Sequence, residues 1–163
     1  IMRPPEDDSD RRLLLAVFAH VNDILEDATP TSPTTGEPLY RPEPWWVGHN
    51  VAFDLGWLWK RSIIHGLTPP FHIPAPYKTS HGKNCFCTMT AWAGHRDRIS
   101  LSRLCRALGI TDPKASGSIS GGDAWEFWQR GDLNTVDGYN RGDVIACRAI
   151  FHRLEAMTAR RAA

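Results

Sequence analysis

The sequence predicts an α/β layer fold that is short of strands. Three observations carry that expectation. Apolar residues recur at helical spacing through five stretches, only two short stretches read as strands, and Pro, Gly and Ser clusters punctuate the chain between them. With 163 residues and 42% hydrophobic content, there is enough apolar material for one globular domain spanning residues 1–163.

Residues 1–10, with Pro4, Pro5 and the acids from Glu6 to Asp10, form a polar leader. Ser9 or Asp10 caps a helix over residues 11–26, whose core face is Leu14, Val17, Phe18, Val21, Ile24 and Leu25. The Pro/Thr-rich residues 28–44 make a surface loop rather than a domain boundary, because neither flank could fold alone. A motif-bearing core over residues 45–158 follows. It opens with the buried strand Trp45-Trp46-Val47, a tight turn at Gly48-His49, and a helix capped by Asn50 and stopped at Gly66. Phe53, Trp57, Leu58 and Ile64 mark the apolar stripe of that helix. An irregular Pro-rich loop occupies 67–84 and a strand 86–92. A short helix covers 100–108 before Gly109, and a Gly/Ser/Lys-containing loop covers 111–122. Helices over 123–130 and 134–160 complete the chain, with Trp125 and Trp128 packing the first of them.

Composition excludes several function classes. Nineteen basic residues stand against 18 acidic ones, so net charge gives no nucleic-acid signature, although Arg96, Arg98, Arg103 and Arg106, and Lys78 and Lys83, form local basic clusters. No apolar run approaches the ~20 residues of a membrane-spanning helix, and residues 13–19 lack a signal-peptide pattern, so a cytoplasmic location is the default. Four scattered cysteines do not make a disulfide framework. Cys85-x-Cys87 has no second Cys/His pair at zinc-finger spacing, and strand alternation explains it. Arg141-Gly142-Asp143 spells an adhesion tripeptide, but inside a helix it lacks the exposed loop that such recognition needs.

Two carboxylates carry the functional signal. Asp54 falls on the inward edge of an apolar helix stripe, in line with Leu58 and Arg61. Asp143 shares a face with Val136, Tyr139, Cys147, Ile150, Leu154 and Met157. Burying a carboxylate is costly unless something cationic neutralises it, and divalent metal ions are the usual solution.

Asn50-x-x-Phe53-Asp54 resembles the second motif of the DEDD-type 3′–5′ exonucleases, and Tyr139-x-x-x-Asp143 resembles the third motif of their Tyr-containing branch. The stretch from Ser100 through Leu104 to Gly109, then Gly122-Asp123-Ala124-Trp125-Glu126 and Gly131-Asp132, extends the resemblance over about residues 45–155. It is similar to predicted exonucleases related to the proofreading domain of B-family DNA polymerases. Taken singly, pairing of Asp54 with Arg61 and a core role for Tyr139 explain these residues; their joint spacing favours the family origin.

The resemblance implies a ribonuclease H-like mixed sheet flanked by helices and a site that binds Mg²⁺ or Mn²⁺ as a pair. It implies that Asp143 binds the nucleophile-side metal, Asp54 serves the other, and Tyr139 orients the attacking water. Asn50 and Phe53 would shape the pocket for the terminal nucleotide. The implied substrate is a single-stranded DNA or RNA 3′ end, DNA favoured, with a polymerase or replication or repair partner and no membrane. The family's first motif, Asp-x-Glu on an N-terminal hairpin, does not occur in the chain. We therefore expect a missing N-terminal portion or, alternatively, a catalytically inactive nucleic-acid-binding or interaction domain of the same fold.

Overall fold

A computed structural model describes residues 9–115 and 119–159. Along the chain run α1 (Ser9–Asp27), β1 (Trp46–Gly48), α2 (Val51–Ile64), a 3-10 turn (Pro76–Lys78), β2 (Cys85–Cys87), α3 (Thr88–Ala93), α4 (Leu101–Leu108), α5 (Ala124–Gln129) and α6 (Leu133–Ala159). Among the described residues the only sheet is the parallel β1–β2 pair, so the strand-poor α/β fold expected from the sequence is the fold found. Most of the expected leader lies outside the described residues, and Ser9 and Asp10 belong to α1. The chain divides into two compact units: Ile1–Trp46 with Ala52–Ser80, and Val47–Val51 with His81–Ala163.

The first unit is built on α1. Its Leu14, Phe18 and Leu25 are buried as the helical spacing predicts, while Ile24 is exposed. Phe18 meets Phe71 edge-on at 5.8 Å, and Phe71 meets Trp46 at 5.9 Å. Trp46 donates its indole N–H to the His72 carbonyl at 3.4 Å. The irregular Pro-rich stretch is therefore no mere surface loop: Phe71, Ile73, Pro74 and Ala75 are all buried. Each large apolar side chain removed from water contributes about 1.5–3 kcal/mol.

Two expectations about α2 are corrected here. Its buried stripe is Val51, Leu55, Gly56 and Ser62, not the aromatic one. Phe53 is 70% exposed and Trp57 40% exposed, and Ile64 also faces outward. Small residues turn inward because the neighbouring chain comes close; a Cβ on Gly56 would stand 3.5 Å from the Pro76 ring. The Asp54 side chain thus lies on the outward face, not on the edge of the core. Arg61 does not pair with it either. The largely buried Asp10 carboxylate accepts from the Arg61 guanidinium and from His65 Nε2 at 2.7 Å, joining α1 to α2.

In the second unit, Cys85 and Cys87 both point to the buried side of β2, as alternation predicts. The strand expected to run to Trp92 stops at Cys87, where α3 begins. The buried Thr88 turns its hydroxyl toward β1, 3.3 Å from the Gly48 carbonyl, and this tertiary contact overrides the strand preference of Thr and Trp. On α4, Ser100 stands just before the helix and accepts the Arg103 N–H at 3.3 Å, and Gly109 closes the helix in the left-handed conformation, the latter as the sequence indicates. Leu101, Leu104 and Cys105 of α4 pack with Ala146 and Ile150 of α6 to form the core. Trp125 and Trp128 are exposed by 62% and 47%, contrary to expectation. In the six-residue α5 the half-buried aromatic is Phe127, covered by the Arg130 guanidinium at 4.5 Å. Met157 likewise leaves the predicted α6 face and is exposed.

Candidate active site

Within α6, Tyr139 and Asp143 stand one helical turn apart on the half-buried side. That spacing brings side chains together on one face of a helix. The Asp143 carboxylate lies near enough to the Tyr139 hydroxyl to act on it as an acceptor and a negative charge. Burial, then those two effects of Asp143, push the phenol up to about 12, so it keeps its proton at neutral pH. Oδ1 of Asp143 is buried and has no hydrogen-bond partner. A buried lone carboxylate oxygen is expensive to leave unsatisfied.

The connection from α4 to α5 lies beside this pair. The Lys114 ammonium sits over the Tyr139 ring, 5.4 Å from its centroid. Gly121 comes so near that a Cβ there would stand 3.2 Å from the Tyr139 hydroxyl oxygen.

The turn between β1 and α2 is also pinned in this unit. Val51 packs on Gly48, where a Cβ would meet the Val51 side chain at 3.0 Å. His49 Nε2 lies 2.9 Å from the Ile99 carbonyl, and Nδ1 lies 2.9 Å from the Thr88 hydroxyl. A carbonyl can only accept, so Nε2 carries the proton and, in the neutral ring, Nδ1 accepts from Thr88. Burial lowers the imidazole below its ordinary value and the Lys114 charge lowers it further, against the Ile99 carbonyl and Asp143, which raise it. His49 thus stays neutral at pH 7 within the field of Asp143.

Asn50 does not have the extended backbone usual for a helix cap. It stands at φ 61°, a left-handed conformation that Asn tolerates better than most residues. The backbone N–H groups of Asn50 and Val51 face the Cys87 sulfur instead. Burial alone would raise that thiol, but the Thr90 hydroxyl and N–H, with these two N–H groups, outweigh it and lower it.

Asp54 and Phe53 belong to the first unit, whereas Asn50, Tyr139 and Asp143 belong to the second. The Asp54 carboxylate reaches solvent, yet surrounding chain removes enough water to push it above the usual carboxylate range, partly offset by its own backbone N–H.

The unpartnered Asp143 Oδ1 fits one ligand position of a hard divalent cation, which takes oxygen donors. Among the described residues no group of three or more His, Cys, Asp or Glu stands together, so the fit extends to that single ligand and not to a full coordination sphere. His49 and Lys114 are the neighbours that sequence reasoning passed over. Their signals were the His placed directly before Asn50 and a lone Lys in a Gly/Ser-containing loop.

A family model described as a predicted 3′–5′ exonuclease related to the exonuclease domain of PolB matches residues 37–162. The chain belongs to that family. The strand-poor α/β architecture is that of a ribonuclease H-like exonuclease domain lacking some of its strands. No curated protein and no solved structure matches the chain. Among the described residues, no helix of this exonuclease-family chain is long and apolar enough to cross a membrane.

Proposed function

We propose that the chain is a metal-dependent 3′–5′ exonuclease that hydrolyses phosphodiester bonds at single-stranded nucleic acid 3′ ends, with DNA as the favoured substrate. The observation that supports this most is the Asp143 carboxylate, one oxygen buried and unpartnered, with Tyr139 one turn before it on the same half-buried helix face. Asp143 would hold Mg²⁺ or Mn²⁺, and Asp54 enters as the second ligand on its motif alone. When bound, such ions supply a hydroxide-like water near neutral pH and a brace for charge on the leaving 3′ oxygen.

The chain's own residues do the positioning. Because the Tyr139 phenol keeps its proton at neutral pH, its oxygen can accept from a water and orient it. Phe53 is an exposed aromatic one residue before Asp54, and such a face can stack on a terminal base. Asn50 lies in the turn that begins α2 and serves the terminal nucleotide in this reading. A polymerase or repair partner follows from the family relation to PolB and is part of the proposal.

The test is release of nucleotides from a 3′-labelled single-stranded DNA and a matched RNA with Mn²⁺, beside an Asp143→Ala control. Metal-dependent release from the 3′ end that the substitution removes is the expected result. Binding of both strands without release would overturn the enzyme and leave a nucleic-acid-binding domain of the same fold.

A further inference from the structure

Gly121 and Gly142 flank the Tyr139–Asp143 pair without any conformational need for glycine. Neither has a left-handed φ, unlike Gly109 or Gly131, so their backbones admit any L residue. What excludes a side chain is space. A Cβ on Gly142, inside α6, would stand 3.0 Å from the Pro113 Cβ, and one on Gly121 would stand 3.2 Å from the Tyr139 hydroxyl oxygen. Gly138 is a natural control: it lies on α6 one turn before Gly142 and nothing comes within 4 Å of its would-be Cβ. Glycine within a helix costs roughly 1 kcal/mol relative to alanine, and only at 142 does a close neighbour account for it.

We infer that Gly121 and Gly142 are positioning residues that let both flanks of the α4–α5 connection press on α6 and set the Tyr139 hydroxyl beside the Asp143 carboxylate. The inference rests on the exonuclease reading for its kinetic consequence only. The flank after α4 is anchored by the Ile110 N–H on the Cys105 carbonyl at 2.9 Å and by the Lys114 N–H on the Asp112 carboxylate at 3.0 Å. It places Pro113 on Gly142 and the Lys114 ammonium over the Tyr139 ring. The flank before α5 is a tight turn in which Asp123 accepts from the Ser120 N–H at 2.9 Å and from its hydroxyl at 2.7 Å. Gly121 lies inside that turn and cannot retreat without breaking it.

The two glycines act differently. A methyl at 121 displaces the far end of a side chain, so the Tyr139 hydroxyl itself moves relative to Asp143 by a few tenths of an ångström. A methyl at 142 meets a rigid pyrrolidine ring, so the flank carrying Lys114 moves.

The experiment labels the protein with 3-fluorotyrosine and follows the Tyr139 resonance by fluorine NMR, assigned among the three tyrosines by Tyr139→Phe. The Tyr139 signal should shift in Gly121→Ala and in Gly142→Ala, stay in place in Gly138→Ala, and return in the double variant Pro113→Gly/Gly142→Ala. In the variants that shift, kcat should fall about tenfold with KM unchanged, as expected for sub-ångström misplacement of a reacting group. A signal that stays put in Gly121→Ala, or moves as far in Gly138→Ala, overturns the inference. The expected shifts in a protein that releases no nucleotide support the positioning and overturn the exonuclease reading instead.

Discussion

The two motif carboxylates occupy opposite environments. Asp143 is half-buried on α6, one turn after Tyr139, and keeps one oxygen buried without a partner. Asp54 stands on the open face of α2 beside the exposed Phe53 and Trp57, with its carboxyl pushed above the usual range. Asp143 is therefore the preorganised one of the two, its buried oxygen already stripped of water. Asp54 is poised: proton and metal compete for it on more equal terms.

The largest expected effect is at the preorganised end. Asp143→Asn keeps the shape of the side chain and should lower nucleotide release by about 10³-fold or more, in line with losses of a main electrostatic contributor. Residual Mn²⁺-dependent activity within tenfold of the parent would dissolve the contrast between the two carboxylates.

At the poised end, Asp54→Asn should reduce activity by about 10²-fold while slightly raising the melting temperature. The sign follows from the raised carboxyl: its favourable contribution is complete below the ordinary 3.8 and is lost as pH rises through the higher folded value. At pH 7 the ionised group thus weighs slightly against the fold, an effect that solvent screening keeps small. Thermal melts of both proteins at pH 7 and below pH 4 check this; the gain should vanish in acid.

Tyr139→Phe removes the water-orienting oxygen but leaves Asp143 intact. It should lower kcat by about 10- to 100-fold with little change in KM, as for a group acting in the transition state. An unchanged kcat would reduce the tyrosine to a packing role.

Asn50 separates backbone from side chain. Asn50→Ala should destabilise by about 1 kcal/mol because alanine resists the left-handed conformation, whereas Asn50→Gly should fold well. If the side chain serves the nucleotide, both lose activity; denaturant unfolding beside kinetics tells the two apart.

The smallest effect is on pH dependence. His49 is lowered from 6.5, so its contribution is present above that value and lost as pH falls through the lower folded one. His81 is lowered in the same direction, by burial and by the neighbouring His95. Stability should decline below pH 6.5, and His49→Gln, which keeps an N–H for the Ile99 carbonyl, should flatten part of that decline.

Legibility from sequence tracked how local the cause was. The end of α4 at Gly109, the stop at Gly66 and the placing of Tyr139 one turn before Asp143 follow from spacing within a turn or two, and the sequence displays them. Aromatic residues of α2 suggest a core by their size, but the face that packs carries Val51 and Leu55, a choice made by distant chain that no local pattern displays. The early end of β2 goes with the contact of Thr88 to Gly48, forty positions earlier, which no local pattern reveals. The pinning of His49 by Ile99 is of the same kind, fifty positions apart.

The way the two units divide the chain has a consequence for biosynthesis. The second unit takes Val47–Val51 from the middle of the first and then waits for His81 onward. As the polypeptide emerges, that short borrowed turn lacks β2, Thr88 and Ile99 until the residues past Ser80 have been made. No single cut in the chain releases both units whole, and a split at Ser80 would strand Gly48, His49 and Asn50 on the wrong fragment.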